Sequence, residues 1–131
     1  MIGARDPQKR KRRAAYGLGH RGERLAAWAL RLKGFRILAR RYRTPAGEID
    51  LIARRGGTLA IVEVKRRARL ADAGEAIRRR QQRRVVHAAQ AYLQRHPELD
   101  RLQLRFDALL LVPRRLPHHI KDAWNTDNFL P

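Results

Sequence analysis

The distribution of apolar positions along the chain changes period several times, and each change predicts an element. From Gly17 to Lys33 the residues Leu18, Leu25, Ala29 and Leu32 recur at spacings of seven, four and three, which predicts a first helix with those residues as its buried stripe. Gly34 is placed to stop it. From Phe35 to Arg43 the pattern alternates, with Phe35, Ile37, Ala39 and Arg41 on one face, and this predicts a strand. Thr44 to Gly47 supplies a turn. The stretch Gly47 to Arg67, GEIDLIARRGGTLAIVEVKRR, then predicts two strands joined at Gly56-Gly57. A long second helix is predicted over Gly74 to His96, with Ile77, Gln81, Val85, Ala88, Ala89, Tyr92 and Leu93 along one stripe. Leu102 to Val112 is a further strand carrying Leu104, Phe106, Ala108 and Leu110 on one face and Arg105 and Asp107 on the other. Residues 118–124, HHIKDAW, suggest a short edge strand. The order helix, strand, strand, strand, helix, strand, edge strand predicts an α/β domain, a mixed β-sheet flanked by helices.

Composition narrows the class. A chain of 131 residues fits one domain, here 17–131, preceded by a basic, unpatterned arm over 1–16 that is expected to be disordered. Cysteine is absent, which removes disulfides and thiolate metal sites and fits a reducing cytoplasm. No apolar run approaches a membrane span and the N-terminal basic stretch lacks an apolar core, so neither membrane insertion nor secretion is expected. There are 31 Lys and Arg against 12 Asp and Glu, a net charge of +19. So large an excess implies a polyanionic partner, and nucleic acid fits better than an anionic membrane because no basic helix shows a segregated apolar face. The arginines cluster at Arg66, Arg67 and Arg69 and again at Arg78, Arg79, Arg80, Arg83 and Arg84, which marks these as the expected nucleic-acid-binding surfaces.

Within the most hydrophobic hairpin of the chain stand Asp50, Glu63 and Lys65. A buried charge is costly unless it is paired, hydrogen-bonded or bound to a metal. Glu63 and Lys65 share one strand face, about 6–7 Å apart at Cα. If the hairpin register sets Asp50 against that face, two carboxylates and an amine converge. Such a set suits a hard divalent cation with a free ammonium beside it. It equally suits a Glu63–Lys65 or Asp50–Lys65 ion pair at a sheet edge. Asp107 is expected to be structural, paired with a neighbouring arginine. The adjacent His118 and His119 diverge on a strand and make no metal site by themselves.

The order of acid, strand turn and Glu-x-Lys resembles the PD-(D/E)XK nuclease core. More closely, GEIDLIA, VEVKRR, AIRRRQQRRVVHAAQAYL, RFDALLL and IKDAW together resemble the YraN-like family of small bacterial proteins, over about residues 17–127. The resemblance implies a restriction-endonuclease-like fold, similar to Holliday-junction resolvases, and a Mg²⁺- or Mn²⁺-dependent endonuclease acting on DNA, branched or flap DNA included. It implies Asp50 and Glu63 as metal ligands and Lys65 as the group that stabilises the attacking water and the transition-state charge. It adds Glu23 as a helix acid approaching the site, Glu48 as a supporting acid on the rim, and Gln81 as the polar residue of the second helix, where the family typically carries Lys. A junction-cutting enzyme would benefit from a two-fold homodimer. The alternative is a non-catalytic module that binds DNA or structured RNA on a retained nuclease fold.

Overall fold

The computed structural model describes residues 22–68 and 79–124. The arm over 1–16, Leu18, Arg69, Ile77 and Arg78 lie outside the described residues. Helix α1 (22–32) is followed by strands β1 (Arg36–Thr44), β2 (Gly47–Arg55) and β3 (Thr58–Arg66). Helix α2 (Arg79–Arg95), a 3₁₀ turn (Pro97–Leu99), β4 (Gln103–Leu111) and β5 (His118–Ile120) complete it. The five strands form one sheet in sequential order, β1-β2-β3-β4-β5. Neighbours are antiparallel except β3 and β4, which run parallel with α2 in the connection between them. This is a mixed α/β sheet with a helix on each face, as the apolar pattern predicts. No described helix is long and apolar enough to cross a membrane.

The two faces have separate cores. Val85, Val86, Ala88, Ala89 and Tyr92 of α2 pack on Ile49, Ile52, Leu59, Ile61 and Phe106. Ala26, Ala27 and Leu30 of α1 pack on Phe35, Leu51, Ala53, Ala60, Val62, Leu109 and Leu111. The buried stripe of α1 is thus Glu23, Ala26, Ala27 and Leu30, and the Leu25, Ala29, Leu32 stripe expected from spacing is not the one buried. Leu25 is 51% exposed and Leu32 85% exposed. Small alanines let the helix backbone approach the sheet closely, a packing advantage that a count of large apolar residues misses. At its end, α1 closes as the spacing predicts. Gly34 takes φ +91°, its N–H donates to Arg31 O, and the N–H of Phe35 donates to Leu30 O, both at 3.0 Å. These bonds, with Leu30 and Phe35 in one cluster, form a Schellman motif, for which glycine alone avoids a Cβ penalty.

Strand β1 departs from simple alternation. Its register against β2 shifts between Ile37 and Ala39, so Leu38 is an extra residue. Phe35 and Ile37 face α1, whereas Leu38, Ala39 and Tyr42 face α2. One inserted residue exchanges faces because the side-chain period of a strand is two. Arg41, downstream of the bulge, sits at φ +51°.

On the α1 face, Asp107 of β4 is fully buried and its charge is answered several times over. Arg105 donates to both carboxylate oxygens at 2.9 Å, His119 Nε2 lies 2.8 Å from Oδ2, and the Asp122 N–H donates to Oδ1 at 3.0 Å. His119 Nδ1 lies 3.2 Å from Lys33 Nζ, so the cluster ties β5 and the end of α1 to β4. Burial pushes the Asp107 carboxyl up, but the bonds from His119, Arg105 and Asp122 outweigh it and hold the group below its ordinary value of 3.8. Because the folded-state value is depressed, the stabilisation is complete above about pH 4 and is lost as the pH falls through the folded value. Asp107→Ala strands Arg105 and His119 and is expected to cost about 3–5 kcal/mol. Denaturant unfolding between neutral and acid pH should show the parent losing stability more steeply than the variant. Parallel acid limbs would assign the acid sensitivity elsewhere.

Candidate functional site

The hairpin β2–β3 pairs from Arg55↔Thr58 to Leu51↔Val62 and stops there, although both strands continue. One step further in the same register, Asp50 would stand opposite Glu63. The strands part at this step, and the two carboxylates occupy the gap. The Val64 N–H donates to Asp50 Oδ2 at 2.8 Å, and the Asp50 N–H donates to Glu63 Oε1 at 3.3 Å. Side chains thus replace part of the backbone pairing. The alternation of β2 slips at the same place, with Ile49 joining Ile52 in the α2-side core while Leu51 and Ala53 face α1. On β3, Leu59, Ile61, Glu63 and Lys65 share the α2 face, so Glu63 sits where the apolar core ends and Lys65 two residues beyond it.

Helix α2 supplies the third wall. Gln81 Nε2 donates to Glu63 Oε2 at 3.3 Å. Gly47, at the start of β2, lets the helix come this close. A Cβ at Gly47 would stand 3.0 Å from Arg84 Cβ and 3.3 Å from Arg84 O. The result is an open cavity of about 500 Å³ lined by Glu48, Asp50, Glu63, Lys65, Arg80, Gln81 and Arg84, with Gly47 and Val85. The residues expected from the sequence as a metal and catalytic set, Asp50, Glu63, Lys65 and Gln81, therefore share one cavity with Glu48, and two of the expected nucleic-acid arginines join them.

Glu23 lies elsewhere. It is buried under α1 on the other face of the sheet, 3.9 Å from Arg40 Nε and 3.8 Å from Arg41 Nε. Arg41 also reaches Glu48 at 3.5 Å, and Arg43 reaches Glu48 at 3.6 Å. Glu23 is thereby linked to the cavity rim through Arg41, whose left-handed backbone costs about 1–2 kcal/mol. Nothing in the sequence around Arg41 signals this bridge, because it depends on the upstream bulge. Arg79 and Arg83 are exposed on α2. Arg66 and Arg67 line a second cleft.

The electrostatics of the carboxylate pair differ from those of Asp107. Burial pushes Glu63 well above the ordinary glutamate range, the Asp50 charge pushes it the same way, and the Asp50 N–H and Lys65 pull back less. Burial also raises Asp50, opposed chiefly by the Val64 N–H. Buried Glu63 and half-buried Asp50 form an acid pair short of positive charge. No group of three or more His, Cys, Asp or Glu suited to a metal ion occurs among the described residues. The donor set is instead two adjacent hard carboxylates beside an open cavity. That composition fits Mg²⁺ or Mn²⁺, which take one or two carboxylates and fill the remaining positions with water and phosphate oxygens.

The chain is similar to one family of proteins over most of its length. The sequence model of the uncharacterised protein family UPF0102 matches residues 22–111. A UPF0102 protein of Parvibaculum lavamentivorans is 58% identical over 111 residues, covering 85% of this chain and 84% of the relative. One of Chelativorans is 56% identical over 113 residues, covering 86% and 91%. One of Nitrobacter winogradskyi is 54% identical over 112 residues, covering 86% and 95%.

An acid whose folded value is raised loses stability when it ionises, as the pH rises from its ordinary value toward the folded one. Glu63→Gln is therefore expected to stabilise the protein at neutral pH, by about 1 kcal/mol, while Gln81 turns its carboxamide to accept from the new amide. Divalent cation in hundredfold excess over its dissociation constant should stabilise the parent by about 2.7 kcal/mol and leave the variant unmoved. Thermal unfolding with Mg²⁺, Mn²⁺ and EDTA reads both effects. An equal cation response in parent and variant would remove Glu63 from the donor set.

Proposed function

The chain belongs to the uncharacterised protein family UPF0102, and from that premise we propose that it is a Mg²⁺- or Mn²⁺-dependent phosphodiesterase that cleaves DNA on a restriction-endonuclease-like core. The observation that carries this reading is the under-neutralised Asp50–Glu63 pair set between parting strands, with Lys65, Gln81, Arg80 and Arg84 around the same cavity. An acid pair whose charges are only partly answered within the protein destabilises the fold, and an external cation would complete it. The five-strand mixed sheet with a helix on each face and the net charge of +19 support the same reading.

In this mechanism Asp50 and Glu63 hold the cation. The chemistry that such a cation supplies is Lewis-acid polarisation of a phosphoryl oxygen. As water attacks phosphorus, the P–O bond to the leaving sugar oxygen breaks, and that oxygen takes up a proton from solvent as the attacking water gives one up. Lys65 presents its ammonium to the developing negative charge and stabilises it in a partly enclosed site. Gln81 donates to Glu63, holds that carboxylate in one orientation, and offers its remaining amide hydrogen and carbonyl to a water or a phosphate oxygen. Arg80 and Arg84, one helical turn apart on α2, grip the phosphates on either side of the scissile bond. Glu48, held by Arg41 and Arg43, fixes the start of β2 and with it the position of Asp50. The grip is on phosphate, so base specificity is low and affinity falls steeply with salt.

Labelled duplex, flap, four-way-junction and single-stranded DNA, incubated with Mg²⁺, Mn²⁺ or EDTA, test the reading. Cation-dependent cutting is expected in the parent. Asp50→Asn should abolish it while DNA binding is kept or tightened, because one negative charge leaves the phosphate site. Cutting at the parental rate by the variant contradicts the assignment. Tight, salt-sensitive binding without cutting by the parent points to the non-catalytic module, with structured RNA as the next ligand to try.

A further inference from the structure

A second cleft, of about 520 Å³, opens at the same end of the sheet on the opposite face. Its floor is apolar: Leu25 of α1 with Leu111, Val112 and Pro113 at the end of β4. Its rim is cationic: Arg66 and Arg67 from the end of β3, and Arg114 and Arg115 from the turn after β4. The described lining contains no acid. Two backbone bonds hold the frame: the Arg67 N–H donates to Leu111 O at 3.1 Å and the Arg115 N–H to Val112 O at 3.2 Å. The latter bond closes a turn with Pro113 in its second position and Arg114, at φ +63°, in its third. That is the pattern of a type II turn, whose third position favours glycine. Arginine there costs about 1–2 kcal/mol of backbone strain and returns nothing to the core, because Arg114 is exposed. Strain of this kind is retained where the side chain serves a purpose.

We propose that this cleft binds an unpaired nucleic-acid strand that continues from the carboxylate cavity, so that the preferred substrate joins a duplex to a single-stranded arm. The inference rests on the nucleic-acid reading above and adds a binding site to it. Two features select the ligand. Lys65 and Arg66 are consecutive on β3 and so face opposite sides of the sheet, one in each cleft, and a strand rounding the end of β3 passes from one to the other. An apolar floor under a ring of guanidinium groups suits an unstacked base, whose flat face packs on the floor or on an arginine plane while its phosphate meets the rim. A paired duplex turns its bases inward and leaves such a floor unused. Leu25 continues along α1 into exposed Trp28, which is 61% exposed and has Arg31 over its ring at 5.3 Å, so the stacking surface extends beyond the cleft.

The test is fluorescence anisotropy of the full chain in EDTA and fixed salt, with a short blunt duplex and the same duplex carrying an unpaired oligothymidine arm. The parent is expected to bind the armed duplex about tenfold more tightly than the blunt one. Arg114→Gly suits the positive φ and relieves the turn, so the fold is kept, and it should remove most of that preference. Arg115→Ala should act in the same direction. A preference that survives both substitutions overturns the proposal, and so does an equal loss on both duplexes, which would make the rim a general duplex contact. An acidic peptide that binds through Arg114 without displacing the armed DNA also overturns it, in favour of a protein partner. A parent that binds no DNA at all overturns the DNA reading on which the inference rests, which separates the two failures.

Discussion

The structure turns on the cost of placing two carboxylates side by side in the centre of a sheet. Asp50 and Glu63 stand where β2 and β3 would next pair, and two charges of one sign at that separation cannot both ionise cheaply. The strands part, the carboxylates accept the backbone N–H groups of Val64 and Asp50, and α2 is drawn close enough for Gln81 to reach Glu63. The cavity, the slip in β2 alternation and the close approach of Gly47 to α2 all sit at this one opening.

The same fold shows the opposite solution at Asp107. That carboxylate is buried as deeply, yet a bidentate arginine, a histidine and a backbone N–H answer it, and it is held below its ordinary value. Glu63 is pushed the other way, first by burial and then by the charge of the neighbouring Asp50, which the Asp50 N–H and Lys65 offset less. Two buried acids on adjacent parallel strands thus have opposite roles. One ties β5 and α1 to β4, and the other leaves a charge deficit, which the proposed cation would fill.

Among the described residues, three that are not glycine have left-handed backbone conformations, Arg41, Arg114 and Asp122. Each lies beside a charged cluster. Arg41 bridges Glu23 and Glu48, Asp122 turns its N–H to Asp107, and Arg114 stands on the rim of the second cleft. The strain is therefore concentrated where charges are positioned, and it is absorbed by the two apolar cores that hold the strands in place.

The sequence by itself determined the elements and much of the carboxylate cavity. Hydrophobic period, Gly34, the Gly56-Gly57 turn and the parity of Glu63 and Lys65 are local features, and local chemistry settles them. The parity of Gln81 with Val85 likewise placed it on the buried stripe of α2, from which it meets Glu63. Tertiary structure decided the rest. Which stripe of α1 is buried depends on how closely the helix approaches the sheet, and alanines at 26 and 27 win over larger residues at 25 and 32 because they permit shorter contact. Glu23 belongs to α1, on the face opposite α2, and is linked to the cavity rim through Arg41, and element order alone does not say which face each helix takes. The bulge at Leu38 and the conformation of Arg41 beyond it follow from the pairing of β1 with β2, which local pattern does not fix. A strand pattern says which residues share a face, but only the assembled sheet says what meets them there.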